Sequence, residues 1–378
     1  NGRIAMIGTS VTVPPMTKTL DVGGADVYPG FINGRSTIGL AEPGARGYDD
    51  TNEMLDYNPQ LRALVSFHSD SEAIPVARAN GITTVAVTPS GGTLSGQVAL
   101  MNLDGWTWEE NTLREVAGIA FQFPTIGPAG GRGFGPPPAG PDAERERNYE
   151  DLKKERDAKL EDLAKLFDRA RAYAAAGPDR PIDWVLEALV PVVERKIPLI
   201  TRVDRERDIR DAVRFADRLN VRLVISGGIE APLVAPLLAE KGIPVILGSV
   251  LTLPPREDMA HSWSYEAAAE LARAKIKFAF ATGDNTNVRQ LPYQAAESVA
   301  WGLSREDALK ALTIDAAEIL GVADLVGSIE AGKIANLVVV KGDPLEVRSE
   351  VTHVIIRGRD VGVANKHLAL YERYMGRP

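Results

Sequence analysis

Apolar and polar positions alternate in two different ways along this chain. At both ends, short segments alternate apolar and polar residues between Gly and Asp turns, as at 4–7, 335–340 and 353–357. Such alternation predicts half-buried strands of a small β domain. Between the ends, short runs rich in Val and Ile recur, and several are followed by helical periodicity. Strands buried on both faces that alternate with helices predict a parallel sheet.

The central part of the chain contains seven apolar runs that we interpret as barrel strands: 27–32, 82–88, 116–121, 197–200, 221–225, 243–247 and 277–281. A complete (β/α)8 barrel needs an eighth strand, for which 97–103 and 181–190 are the two candidates. Helices are predicted over 149–176, 207–219 and 304–320, the first with a highly charged half that we expect to lie in solvent. The predicted fold class is α/β, a TIM-like (β/α)8 barrel with a small β-sandwich formed from both chain ends.

These patterns divide the chain into three parts. We predict that residues 1–26 form the N-terminal part of the β-sandwich, 27–321 the barrel, and 322–378 the rest of the sandwich with a tail. An insertion in the barrel is predicted at 127–180. Its Gly- and Pro-rich start at 127–138 has too few N–H groups for a phosphate-binding loop, so we expect no nucleotide site there. Because the first strand lacks a partner before it, we expect the natural chain to begin further upstream.

Composition excludes several kinds of chemistry. The 378 residues include no cysteine, which removes disulfides, thiolate metal ligands and cysteine nucleophiles, and only four histidines. The formal net charge is −8 and basic residues are interspersed with acidic ones, so we expect no nucleic-acid partner. No apolar run approaches the roughly 20 residues that span a bilayer, so no membrane span is expected.

Three motifs resemble the amidohydrolase superfamily. YPGFIN at 28–33 is similar to its first barrel strand, and GITTV at 81–85 is similar to its second. The most specific motif is GSIEAGKIANLVVV at 327–340, where these proteins return from the barrel to the small β-sandwich. Within the superfamily the chain most resembles the imidazolonepropionase-like group. The resemblance implies a metal-dependent-hydrolase fold and a hydrolase acting on carbon–nitrogen bonds other than peptide bonds.

The resemblance also implies one or two divalent metals at the C-terminal mouth of the barrel. Their ligands in the family are a His-x-His pair after strand one, a His after strand five, another after strand six, an Asp after strand eight, and often a carboxylated Lys from strand four. The matching positions that we identify in this sequence hold Arg35 and Thr37, Arg202, Gly227 (or Ser226, one residue earlier) and Asp284. Guanidinium has no lone pair to give, and glycine has no side chain. We therefore expect a lost or altered metal site and no cofactor, with a divalent metal such as zinc in a non-standard site as the alternative.

The residues at these positions suggest what replaces the metal. Asp284 is the candidate catalytic base. Arg35 and Arg202 are candidate ligand-binding residues, which either form an ion-pair cluster with Asp284 or point to solvent. His261 follows strand seven on the mouth side and is a further ligand-binding candidate. For His68, His353 and His367 we expect structural or surface roles, and for Ser226 and Glu230 either assistance at the site or helix capping and loop structure.

Several functions remain open from the sequence. The chain is a hydrolase, with or without a metal, or an anion-binding protein that uses Arg35 and Arg202. A third alternative is a catalytically inactive protein that forms a hetero-oligomer with an active amidohydrolase paralogue. A homo-oligomer is the alternative assembly. Trp106 and Trp108 are candidate interface anchors or barrel-end packing. The absence of cysteine and the likeness to exported members favour the periplasm, with the cytoplasm as the alternative.

Overall fold

The computed structural model describes residues 2–42, 49–126, 149–177 and 179–377. The strands, in chain order, are β1 (Asp26–Pro29), β2 (Phe31–Ser36), β3 (Ile82–Val87), β4 (Leu94–Asn102), β5 (Thr112–Gln122), β6 (Leu199–Val203), β7 (Leu223–Gly227), β8 (Val245–Leu247), β9 (Phe278–Phe280), β10 (Leu337–Lys341), β11 (Glu350–Ile356) and β12 (Arg359–Asp360). The α-helices are α1 (Ala73–Arg78), α2 (Trp108–Asn111), α3 (Tyr149–Ala175), α4 (Trp184–Val193), α5 (Glu206–Leu219), α6 (Ala235–Lys241), α7 (Trp263–Arg273), α8 (Leu291–Ala300), α9 (Arg305–Leu312), α10 (Ile314–Ile319) and α11 (Lys366–Met375). Short 3-10 helices span Ala63–Ser66, Ala231–Val234 and Val288–Gln290.

Eight strands form a nearly closed barrel in the order β2 to β9, which confirms the predicted TIM-like fold. The candidate at 97–103 lies largely within β4 and supplies the eighth strand, whereas 181–190 was the wrong candidate because α4 occupies most of it. Asp183 begins that helix by accepting from the backbone N–H groups of Val185 and Leu186.

The direction of β4 differs from the prediction of a wholly parallel sheet. It runs antiparallel to both β3 and β5, while the remaining neighbours in the barrel are parallel. A parallel connection needs a crossover of a dozen or more residues. The links at 88–93 and 103–111 are shorter than that, so they return the chain in the opposite direction.

The first predicted strand, 27–32, is in fact two strands in different sheets. Residues of β1 pair with β10 in a four-stranded antiparallel sheet, β1-β10-β11-β12, which is built from both chain ends. The chain then crosses to the barrel at Gly30, where a Cβ atom would overlap the side chain of Thr83. The predicted strand at 4–7 is wrong, because this segment is exposed coil next to a single bridge between Arg3 and Ile334.

The barrel interior is filled by one apolar layer, and the mouth lies above it. Inward-facing side chains from the eight strands pack together there, namely Ile32, Ala86, Val98, Leu100, Ala120, Ile200, Val224, Ile246 and Ala279. The amide of Gly283 donates to the carbonyl of Arg35 at 3.0 Å, and the side chain of Asn33 bonds Thr282 through both its oxygen and its nitrogen. These bonds tie the ends of β9 and β2 together.

The predicted helices are present with one break. α5 matches 207–219 closely, and its inward face carries the apolar residues that its periodicity predicts. α3 buries only residues of its second half, which confirms the expectation of a solvated first half. The helix predicted at 304–320 divides at Thr313 into α9 and α10. The predicted loop at 127–138 lies outside the described residues, as does most of the insertion's first half.

None of the helices in the described ranges combines the length and apolar content needed to cross a lipid bilayer.

Candidate functional site

A β-bulge near the end of β2 accompanies the entry of Arg35 into the mouth. Asn33 pairs with Val85 and Ser36 pairs with Val87, so β2 advances three residues while β3 advances two. An extra residue of this kind changes which way the following side chains point. Arg35 thereby lines the same cavity as Ile200 of the barrel interior.

A small polar cavity lies above the apolar layer at the barrel mouth. Its volume is about 20 Å³, and its polar lining includes Arg35, Thr88, Gln122, Arg202 and Ser226. A larger groove of about 660 Å³ adjoins it between the ends of β5 and β6 and helix α3. Gln122 and Arg202 line both spaces. The small cavity and the groove are therefore neighbours that share the side chains of Gln122 and Arg202.

Two cations face this cavity without a matching anion in contact. Within the described part of the chain, neither Arg35 nor Arg202 makes a side-chain hydrogen bond or an ion pair. Burial, and secondly the charge of Arg202, lower the pKa of Arg35 to about 10, while the carboxylates of Asp204 and Asp284 oppose that lowering. The cavity is therefore an electropositive site in which a buried charge lacks a direct partner.

Asp284 does not join this pair of arginines as the predicted ion-pair cluster required. One of its carboxylate oxygens accepts from the backbone N–H of Asn287 at 2.8 Å, and the other accepts from the Asn287 side chain at 2.7 Å. Among the described residues no ion pair links Asp284 to Arg35 or Arg202. The carboxylate is held in the turn after β9, near enough to influence Arg35 electrostatically but not to contact it.

The end of β7 distinguishes the two alternatives for the strand-six ligand position. Ser226 lines the cavity, and its hydroxyl is buried. Gly227 instead has a φ of +97°, and a Cβ atom there would overlap a carboxylate oxygen of Asp204. A larger side chain at Gly227 is therefore disfavoured twice, whereas Ser226 presents a hydroxyl to the site.

The other candidate residues lie away from the cavity. His261 is exposed and its ring contacts Trp301 edge-to-face, with the centroids 5.9 Å apart. Glu230 is buried and accepts from the backbone N–H of Glu206 at the start of α5, which matches its predicted capping alternative. His353 pairs with Asp360 at 2.9 Å in the small sheet. The remaining histidines, His68 and His367, are absent from the cavity lining.

Sequence reasoning missed Gln122 and Thr88 as members of the site. Both stand at the C-terminal ends of strands, which is where barrel enzymes place functional side chains. The register could have revealed Gln122, because it pairs directly with Arg202 across β5 and β6. Neither residue occupies a position at which the family resemblance implies a ligand, so no motif pointed to them.

The residues at the mouth do not fit a divalent metal. Zinc and related ions are bound by imidazole, carboxylate or thiolate groups, and the cavity presents guanidinium, hydroxyl and amide groups instead. No cluster of three or more histidine and acidic side chains able to hold a metal occurs in the ranges that the structure describes.

Comparisons with known proteins point to one family for the chain. Residues 186–361 match the model of the amidohydrolase family. The crystal structure of an amidohydrolase from Thermotoga maritima MSB8 superposes with a TM-score of 0.81 at 28% sequence identity, covering 96% of this chain and 93% of that one. The family match and the Thermotoga structure support the amidohydrolase superfamily for this chain. By family resemblance it is grouped with hydrolases.

More distant structures share the fold with this chain. A molinate hydrolase superposes with a TM-score of 0.58 at 18% identity, covering 96% of this chain and 89% of that one. A beta-aspartyl dipeptidase from Fervidobacterium islandicum AW-1, solved with a beta-Asp-Leu dipeptide, superposes with a TM-score of 0.53 at 13% identity, covering 96% and 90%. No curated protein gives a significant match.

Proposed function

We propose that this amidohydrolase-superfamily protein binds an anionic ligand between Arg35 and Arg202, with its metal site lost, and does not carry out metal-dependent hydrolysis. The observation that supports this most strongly is the pair of guanidinium groups on one cavity, neither with an ion-pair partner among the described residues. Arginine binds carboxylates and phosphates through paired, charge-assisted hydrogen bonds. An anion between the two groups neutralises their mutual repulsion.

Asp284 supports binding better than hydrolysis. A general base has to reach the attacking water at hydrogen-bonding distance. Both carboxylate oxygens of Asp284 are engaged by Asn287, and Asp284 is not part of the cavity lining. A metal-free hydrolase that uses Asp284 as base is therefore less well supported than a ligand-binding protein that retains the superfamily's barrel.

Anion binding is tested by isothermal titration calorimetry of the purified protein with acetate and with inorganic phosphate. At least one of the two should bind, and Arg35→Gln or Arg202→Gln should each weaken that binding about 10-fold or more, because each removes a charge-assisted bond. The control is Arg222→Gln, which removes an exposed arginine at the opposite end of the barrel. Equal affinity in all four proteins, or no binding of either anion, would contradict the proposal.

Loss of the metal is tested separately by elemental analysis of protein purified without chelators from medium containing zinc, iron and manganese. The expected content is far below one metal per chain. About one metal per chain, retained on dialysis, would overturn the loss of the site and restore metal-dependent hydrolysis as the leading function.

A second candidate function rests on one surface feature. Trp106 is 87% exposed beside α2, whereas its neighbour Trp108 packs against the hydrophobic core. Exposed tryptophans are frequent anchors of protein interfaces. This favours a role for the chain as a structural partner of an active paralogue. Trp106→Ala should release a co-purifying amidohydrolase if that role is correct, and co-purification unaffected by the substitution would reject Trp106 as the anchor.

A further inference from the structure

Ser226 brings an unused hydrogen-bonding group to the proposed anion site. The residue is 1% exposed, and its Oγ has no hydrogen-bond partner within the described part of the chain. The same side chain lines the cavity between Arg35 and Arg202. Buried hydroxyl groups in native proteins are almost always hydrogen-bonded. Because Ser226 lines the cavity, a group that enters it would supply the missing partner.

The register of the barrel aligns this hydroxyl with two other polar side chains. Gln122, Arg202 and Ser226 are directly paired across the adjacent parallel strands β5, β6 and β7. Neighbouring strands lie about 4.8 Å apart, so the three residues form a short row along one wall of the mouth. Arg35 enters from β2, which is not adjacent to these strands. A group in the cavity consequently meets donors from two sides.

The small size of the cavity favours a compact anionic head group. A volume of about 20 Å³ exceeds the roughly 10–15 Å³ that one water molecule requires by only a small margin. A carboxylate is planar and carries two oxygens, whereas a phosphate is tetrahedral and carries four. Gln122 and Arg202 also line the 660 Å³ groove, so the rest of a larger molecule would extend beside these two side chains.

We propose that the ligand is a carboxylic acid with an extended body, and this rests on the anion-binding function proposed above. Its carboxylate is held by Arg35 and Arg202, and the hydroxyl of Ser226 donates a third hydrogen bond to it. The body passes Gln122 and lies in the groove between the end of β6 and α3. Ser226 is thus a specificity-determining residue that adds a hydrogen bond to the head group.

The test compares acetate, hexanoate and inorganic phosphate by isothermal titration calorimetry on the full chain. Acetate should bind at least 10-fold more tightly than phosphate, and hexanoate more tightly than acetate because its chain enters the groove. Ser226→Ala should weaken acetate binding about 5-fold or more and, since it removes an unpaired buried hydroxyl, should also raise the melting temperature of the ligand-free protein.

Ser264→Ala is the matched control. Ser264 is also fully buried with an unpaired hydroxyl, but it lies on α7 away from the cavity. This variant should raise the ligand-free melting temperature without changing acetate affinity. Ser226→Ala should raise the melting temperature and lower the acetate affinity. This combination distinguishes a residue that contacts the ligand from one with a structural role only.

The possible failures are distinguishable. Phosphate binding that depends on Arg35 and exceeds acetate binding would overturn the carboxylate assignment and leave the anion site standing. Unchanged acetate affinity in Ser226→Ala would remove Ser226 from the site. No measurable binding of any of the three anions would overturn both this inference and the anion-binding function.

Discussion

Arg35 is the residue whose environment most clearly separates this chain from a metal-dependent relative. It stands where the family resemblance implies a histidine, and burial beside Arg202 lowers its pKa to about 10. The sequence identified the substitution but not its surroundings. Asp284 was expected to pair with it, yet a local turn with Asn287 satisfies that carboxylate, a short-range contact that alignment to a motif does not reveal.

Replacing Arg35 by an uncharged residue of similar length should stabilise the ligand-free protein. A pKa lowered from 12.5 to about 10 in the folded state means that the charge opposes folding at every pH below about 10, by up to about 3 kcal/mol. That penalty disappears as the pH rises from about 10 towards 12.5. Arg35→Met should therefore raise the free energy of unfolding at pH 7 by about 1–3 kcal/mol, measured by urea denaturation.

The difference between Arg35→Met and the wild type should shrink when the titration is repeated above pH 10, because the wild-type guanidinium then loses its charge in the folded state. Arg222→Met, at an exposed position, should leave stability nearly unchanged at both pH values. A lower stability of Arg35→Met at pH 7 would show that the charge already has a partner in the ligand-free protein.

At the scale of strands, hydrophobic periodicity located the barrel but not the direction of every strand. Seven apolar runs matched strands wholly or in part, since burial on both faces leaves a recognisable pattern. Periodicity is the same for parallel and antiparallel strands, so the reversed β4 was not predicted. The run at 27–32 is continuous in sequence, and only the close approach of Gly30 to Thr83 divides it between two sheets.

The end of β7 offers a test of why Ser226 and not its neighbour occupies the site. Gly227→Ala should lower the free energy of unfolding by about 2–4 kcal/mol, because the new Cβ atom adopts a positive φ and also overlaps Asp204. Gly242→Ala is the control, since Gly242 has a φ of +62° with no atom within 4 Å of the added Cβ, and should lose only about 1 kcal/mol. Equal losses of unfolding free energy in the two variants would show that the Asp204 side chain moves away from the new Cβ atom at little cost.

At the scale of the whole molecule, Asn336 joins the barrel to the small sheet. Its side-chain NH2 group donates to the side-chain oxygen of Asn102 at 2.8 Å, and its side-chain oxygen accepts from the backbone N–H of Arg357 at 3.0 Å. Its backbone carbonyl accepts from the backbone N–H of Gly30. The sequence predicted that the chain returns to a small β domain near this residue. It did not reveal the buried amide contact that connects the two parts, which depends on partners more than 200 residues away.

Asn336→Ala should lower the free energy of unfolding by about 2 kcal/mol, because the N–H of Arg357 loses its partner and the buried oxygen of Asn102 keeps only the longer 3.3 Å bond from Thr84. Urea denaturation followed by tryptophan fluorescence provides the measurement. Asn365→Ala, at the half-buried N-cap of α11, should cost no more than about 1 kcal/mol. Similar losses for the two variants would mean that Asn336 is not an important link between barrel and sheet.

We propose that the barrel mouth binds an anion at the positions where the family resemblance implies metal ligands. Anomalous diffraction from crystals soaked in sodium bromide tests it most directly, because bromide is a small monoanion whose position is visible without a model of the ligand. A strong bromide peak is expected in hydrogen-bonding contact with both Arg35 and Arg202, close to Ser226 Oγ. Bromide at surface arginines with none in this cavity would contradict it.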